Sequence, residues 1–459
     1  MADRLSALDA SFLYLEERSA PLHVGSVAVF RRPRSGFEYG RMCGLIERQL
    51  TNAPRYRQKI VPVPAQLARP VWVDDPDFDL TYHVRRSALP RPGNEEQLLD
   101  LVARLMSRPL DHARPLWEVY LVEGLARGHV ALVTKTHQAL VDGVRTVDIG
   151  QLILATSAYE PEQRAPHWLP GRPPGRPALV LDAVRETVRR PAQVIENARS
   201  AAVDAASTAR RVAGAMSGLL AAIGDVARPA AAGPLNVPIG SQRRFAVARA
   251  DLDDLRRCGA EHGGTVHDVV LAVVAGALRA WLLSRGEPVT SSTTLRALVP
   301  LAVSAAGDTV TPYLVDLPVG EPNPFVRLQH IGHAMRAHTD SARSVAADAL
   351  LRAGAYSPAT LHALGARAAT SFAKRIFNLV ITYVPGPQRP LYAGTAQLTE
   401  VFPVVPLIRE QALAVGVTSY DGGVYFGLTG DRDAMSDVDT VAKMVAESVD
   451  ELLTTPRRS

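Results

Sequence analysis

Residues His129 to Gly143 read HVALVTKTHQALVDG, and the fold turns on how this stretch divides. Val130, Leu132 and Thr134 fall on alternate positions, the period of a β-strand. The strand runs into His137 and Gln138, and Asp142-Gly143 follows four residues after Gln138. A histidine and an Asp-Gly pair where a strand breaks into a loop make a site-like arrangement. A proton-handling group is best held at a rigid strand end, and a carboxylate beside a flexible glycine braces the loop that follows. Beyond the loop, VRTVDIGQLILA reads as a helix.

Upstream, LSALDASFLYLEERSAPLHVGSVAVF reads as a helix, a loop and a strand about Val24 to Phe30. The acidic cluster of WVDDPDFDLTYHVRR is taken as a solvated loop. A helix over Glu95 to Ser107 leads into RPLDHARPLWEVYLVEGL, in which Trp117 is expected to pack in the core, as aromatic side chains beside strands do. HWLPGRPPGRP and ARPAAAGPLNVPIG punctuate the chain at either end of two Ala-rich helical stretches, about 178–190 and 191–227. Their polar faces mix Asp and Glu with Arg. That composition favours packing across two domains over a place on a membrane surface.

Downstream, RRFAVARADLDDLRR is a strand and a helix, and GGTVHDVVLAVVAGALRAWLLSRG is a strong helix with Thr265 and Asp268 spaced as a capping box. Strands and helices alternate again through TTLRALVPLAV and PYLVDLPVGEPNPFVRLQHI. Strands flank a turn at Asp421-Gly422-Gly423, and a helix over Val438 to Thr454 follows.

With 459 residues, 47% hydrophobic and 21% charged, the chain has core enough for two domains. Lys and Arg total 51 against 46 Asp and Glu, and only four of the 51 are Lys. No dense Arg run or aromatic interleaving accompanies them, so nucleic acid is not an expected partner. Cys43 and Cys258 lack metal-ligand spacing, which suits a reducing cytosol. The opening MADRLSALDASFLYLEERSAP carries charge throughout, unlike a secretory signal. Val212 to Gly224, the longest uncharged helical run, is too short to cross a bilayer.

HQALVDG resembles the HHxxxDG motif of the CoA-dependent acyltransferase superfamily, which includes chloramphenicol acetyltransferase and peptide-synthetase condensation domains. With PLHVG at Pro21 to Gly25, PLWE at Pro115 to Glu118, HDVVLAVVAGALR from His267 and VPGP from Val384, nearly the whole chain resembles the bacterial wax ester synthase/diacylglycerol acyltransferase branch. The resemblance implies an α/β fold of two chloramphenicol-acetyltransferase-like domains with mixed sheets, residues 1–160 and 239–459. A helical linker, 161–238, would join them, with a channel between the domains. It implies acyl transfer from long-chain acyl-CoA, as co-substrate, to diacylglycerol or a fatty alcohol, with no metal or other cofactor. The expected location is the cytoplasm, with peripheral contact at the inner face of the membrane or on lipid droplets.

The resemblance carries the catalytic positions onto His137, Gln138, Asp142 and Gly143, and the motif or channel positions onto Pro115, Leu116, Trp117, Asp268, Tyr383, Pro385 and Gly386. The family's base, the second histidine, is Gln138 here, and an amide cannot take up a proton near neutral pH. Two asparagines of the family are also replaced, by His267 and Tyr383. His137 is either a structural histidine bonded to backbone or part of the catalytic machinery. His267, at a helix N-terminus that favours the neutral imidazole, is either a cap-adjacent histidine or a base that compensates for Gln138. A relative that binds acyl-CoA or lipid with impaired catalysis is the alternative function.

Overall fold

The computed structural model describes residues 3–32, 38–141, 149–158, 168–189, 233–302, 310–340 and 376–454. His129–His137 is an interior strand of a six-stranded sheet ordered Tyr392–Ala393, Ala396–Val404, His23–Arg31, His129–His137, Trp117–Glu123, Val84–Ala88. Val84–Ala88 runs parallel to its neighbour and the other pairs are antiparallel, so the sheet is mixed. Every residue of the motif strand after His129 is buried. The alternation in sequence therefore marks a strand, but not one with a solvent face. Even Lys135 is fully buried, its Nζ donating to the carbonyls of Leu105, at 3.0 Å, and Arg108. It thereby satisfies carbonyls at the C-terminal end of helix Glu95–Met106. Burial lowers its pKa to about 8. Gly25 lies opposite Lys135, and a Cβ there would stand 2.1 Å from the Thr134 carbonyl oxygen, so the close pairing of these strands requires glycine.

A second six-stranded sheet is ordered Val310–Leu317, Leu295–Ala302, Leu379–Pro385, Leu413–Tyr420, Gly423–Asp431, Arg243–Asp251. Leu379–Pro385 runs parallel to both neighbours, so this sheet too is mixed. Helix Val266–Ser284 lies in its core, buried from Asp268 through Leu278 and again at Trp281 and Leu282. This helix has the length and apolar composition of a membrane span, which the count of uncharged residues overlooked. It is apolar all round because it is enclosed by protein. The hairpin turn is Asp421-Gly422, both at positive φ, the two-residue connection that matches strand twist.

Residues 392–404 lie beyond the linker in sequence yet complete the first sheet, with Ala396–Val404 pairing against His23–Arg31. The halves are further joined where Arg249 bridges Glu400 and Glu95, and where the Arg243 N–H donates to Ser107 Oγ at 2.9 Å.

Three expectations change. In VRTVDIGQLILA, whose residues 144–148 fall outside the described residues, the helix Ile149–Leu152 stops short of Ala155, which exchanges backbone hydrogen bonds with Tyr392 at the sheet edge. The acidic cluster is partly structural: Asp75 is buried against Lys59 at 2.8 Å, and Asp79 caps helix Leu80–His83. Helix Arg176–Arg189 does not pack between the two large sheets. Its Leu179 and Ala183 cover Val63, Val71 and Val73 at a small sheet of Asp3–Arg4, Val71–Asp74 and Gln58–Val61. The second Ala-rich stretch falls outside the described residues, apart from its neighbours at 233 onward.

Candidate active site

The motif strand ends at His137 in a tightly held turn. The His137 N–H donates to the Leu116 carbonyl, the Gln138 N–H to the Leu22 carbonyl and the Leu140 N–H to the His137 carbonyl, each at 2.9 Å. The Ala139 N–H donates to His137 Nδ1 at 3.0 Å. His137, Ala139 and Leu140 are buried, and Gln138 is only half-buried. Position 138 is thus where the turn reaches accessible space, and its backbone is fixed from both sides. Gln138 can donate and accept there but cannot serve as a base. Asp142 and Gly143 lie outside the described residues.

Pro115, Leu116 and Trp117 support the same strand end. All three are buried, and Leu116 supplies the carbonyl that receives the His137 N–H. Trp117 stacks on His83 at 4.6 Å and donates Nε1–H to the Tyr56 carbonyl at 2.7 Å, which places it in the core as its sequence context suggests.

Behind the turn lies a cluster that the sequence reading did not single out. Glu16 follows helix Ala7–Leu15, and its Oε1 accepts from the Leu22 N–H at 3.2 Å. His112 Nε2 is 2.8 Å and His137 Nε2 3.5 Å from Glu16 Oε2, and His23 Nε2 is 3.4 Å from Oε1. His23 pairs directly opposite His137 across the strands. Only its place in PLHVG, and that of His112 before PLWE, could have drawn attention to them. Burial pushes the Glu16 carboxyl up, but the His112, His137 and His23 rings that face it outweigh this and hold the group well below the usual carboxylate range. The hydrogen bond to Glu16 raises His112. Burial pushes His23 down to about 4.

These shifts fix the sign of an acid response. His23, with His83 and His267, which burial also lowers, is neutral when folded but takes a proton in the unfolded chain below about 6.5. Stability should therefore fall as the pH drops from 6.5 toward 4, and below 4.5 Glu16 adds to the loss. The stabilising share of raised His112 is already complete below 6.5 and is lost only as pH rises through its folded value, so it does not offset the acid loss. Urea midpoints should decrease from pH 6.5 to 5.5 to 4.5, less steeply in His23→Asn; a midpoint independent of pH would contradict this account.

In the C-terminal half, Thr265 and Asp268 form the expected capping box: the Thr265 N–H donates to Asp268 Oδ2 at 2.8 Å and the Asp268 N–H returns to Thr265 Oγ1 at 3.2 Å. The two replaced asparagine positions meet. The rings of His267 and Tyr383 are 5.4 Å apart and nearly perpendicular. Burial lowers the His267 pKa, and its buried Nε2 has no hydrogen-bond partner. Pro385 ends its strand opposite Ser419, and a Cβ at Gly386 would stand 2.2 Å from the Ser419 carbonyl oxygen. His137, Gln138 and Leu116 are thus joined at one turn, and His267 meets Tyr383.

Residues 5–270 match the wax ester synthase/diacylglycerol acyltransferase catalytic domain, and residues 306–453 the C-terminal domain of the same family. The chain belongs to this family. A probable diacylglycerol O-acyltransferase of Mycobacterium tuberculosis, tgs2, is 33% identical over 98% of both chains. Another from that organism, tgs3, is 46% identical over 267 residues, 57% of this chain and 97% of its own. The solved wax ester synthase/diacylglycerol acyltransferase of Marinobacter aquaeolei VT8 superposes with a TM-score of 0.69 at 29% identity, covering 98% of each chain. A condensation domain of the CDA synthetase, at 13% identity and a TM-score of 0.56, shares the fold. The two mixed sheets are thus the two-domain architecture of wax ester synthase/diacylglycerol acyltransferase proteins.

Proposed function

We propose that this chain transfers a long-chain acyl group from acyl-CoA to the hydroxyl of diacylglycerol or a fatty alcohol. The observation that carries the reading is the turn at 137–140, which holds the family's catalytic position rigidly by backbone hydrogen bonds and leaves residue 138 accessible. Family membership supports the substrate class. In the reaction the acceptor oxygen attacks the thioester carbonyl, the new C–O bond forms, the C–S bond breaks, and CoA leaves with the proton. No electron is gained or lost overall, so the exchange calls for no redox cofactor. Gln138 contributes orientation, its Oε1 accepting from the acceptor hydroxyl or its Nε2–H donating to the developing oxyanion.

The proton needs another acceptor, and His267 offers one in kind, with a neutral imidazole and an unengaged Nε2. Acceptor-dependent thiol release from palmitoyl-CoA with dioleoylglycerol or hexadecanol tests the function. Release indistinguishable from the protein-free blank would favour the second reading, an acyl-CoA or lipid binder, to which the missing base at position 138 points. If His267 takes the proton, His267→Ala should lower release by about 10²-fold or more. An unchanged rate would remove His267 from the mechanism.

A further inference from the structure

Glu16, His23 and His112 take no part in the bond exchange, yet their polar atoms converge behind the turn that carries Gln138. We propose that Glu16 is a positioning residue for acyl transfer: its carboxylate holds His137 in the Nε2–H form and Leu22 in place, and through both it fixes the backbone that presents Gln138. This rests on the acyl-transfer reading above.

Two connected paths carry the inference. The first is backbone. Glu16 Oε1 accepts from the Leu22 N–H at 3.2 Å, and the carbonyl of the same residue accepts from the Gln138 N–H at 2.9 Å. One residue thus links the carboxylate to the catalytic position. The second runs through the His137 ring, which has no exposed surface. Because the Ala139 N–H donates to Nδ1 at 3.0 Å, Nδ1 must keep its lone pair, and the hydrogen of the neutral ring resides on Nε2. Nε2 is buried and has no full hydrogen bond, and Glu16 Oε2 lies 3.5 Å from it. Remove the carboxylate and Nε2–H loses the acceptor that faces it, leaving the Ala139 N–H alone to favour that form. With hydrogen on Nδ1, two donors would face each other at Ala139 and the turn would open.

The same atoms invite a competing reading. One ligand atom each from Glu16, His112 and His137 lies within 4.8 Å of the others, close enough to surround a cation. A metal on His137 would need Nε2 bare and hydrogen on Nδ1, against the Ala139 N–H. The hydrogen bond at Nδ1 therefore makes the cluster a hydrogen-bond hub and not a metal site. The other ionisable groups around it are compatible with a charged Glu16: His112 at 2.8 Å in the loop before Trp117, His23 on the neighbouring strand, and Lys135 on the motif strand, with Asp111 beside His112.

Two readouts test this on the full-length protein, Glu16→Gln and Glu16→Ala beside wild type. In the first, ¹⁵N-histidine NMR reports the His137 tautomer, its signals assigned by their loss in His137→Gln. Wild type should show hydrogen on Nε2, and Glu16→Ala should shift the ring toward the Nδ1–H form or a mixture. In the second, kcat for acceptor-dependent CoA release should fall on the order of 100-fold in Glu16→Ala with little change in KM, and less in Glu16→Gln, whose amide oxygen can still accept from Leu22. The tautomer readout needs no turnover, so an inactive wild type would sink the acyl-transfer reading, and with it the catalytic purpose of Glu16, while the tautomer still decides whether Glu16 holds the His137 ring. An unaltered His137 tautomer in both variants would overturn the proposal. So would an Nδ1–H ring in wild type, or a shift of the His137 signals on adding Zn²⁺ alone, the latter making the cluster a cation site. Should Glu16→Ala fail to fold, Glu16→Gln decides between an altered and an unaltered ring.

Discussion

Gln138→His should raise acceptor-dependent CoA release from palmitoyl-CoA by about 10²- to 10⁴-fold, the range that a positioned general base supplies. The backbone at 138 is already fixed by the hydrogen bond to Leu22 and by the turn that closes on His137, so a new imidazole would enter a prepared position. The two side chains are similar in length, and position 138 is half-buried, so the exchange costs little in packing. The gain should carry its own pH signature, falling away as the imidazole protonates below about 6.5. Rates of wild type and Gln138→His measured from pH 5.5 to 8 check both points. A ratio near one across that range would mean that proton removal at position 138 does not limit turnover and that another group already serves.

Trp117→Ala should destabilise the protein by about 3 to 5 kcal/mol, the cost of emptying a fully buried aromatic site. The side chain has no exposed surface, stacks on His83 at 4.6 Å, meets Tyr56 edge-on at 5.7 Å and bonds the Tyr56 carbonyl through Nε1. Its backbone pairs with Thr136, one residue before the motif histidine. Loss of the ring should therefore lower the urea midpoint and the activity together. Trp117→Phe keeps a stacking ring but removes the Nε1–H that donates to the Tyr56 carbonyl, and should cost about 1 to 3 kcal/mol. A Trp117→Ala penalty below 1 kcal/mol would show that the pocket collapses onto the space, and that the stack does not hold this edge of the sheet.

Much of the fold was legible because local chemistry and global structure agree. Helix Val438–Thr454, the Thr265–Asp268 capping box and the Asp421-Gly422 hairpin follow from periodicity, caps and turn residues that act within a few positions. Trp117 declared itself by residue type and by its place beside a strand. The Glu16 hub did not, because its members sit at 16, 23, 112 and 137 and meet only through the register that sets His23 opposite His137. Periodicity says that a segment is a strand without naming its partner. For the same reason helix Arg176–Arg189 was recognisable as a helix but not as the cover of the small sheet. Among its described side chains Leu179 and Ala183 are the buried ones, while Leu181 and Val184 stay exposed. Helix Val266–Ser284 escaped the search for long apolar segments because Asp268 and Arg279 interrupt the uncharged run, although the first is satisfied as a cap and the second on the carbonyls of Val319 and Gly320.

The strands at 392–404 impose an order on the making of this protein. As the chain leaves the ribosome, His23–Arg31 can pair with His129–His137 early, but its other edge stays open until more than 250 further residues have been synthesised. Throughout that interval a mostly apolar strand offers a row of unpaired backbone groups, a template for a neighbouring nascent chain. A gene fragment ending before Ala396 would make this condition permanent, so the catalytic half is expected to be recovered in soluble form only when the other half is supplied with it.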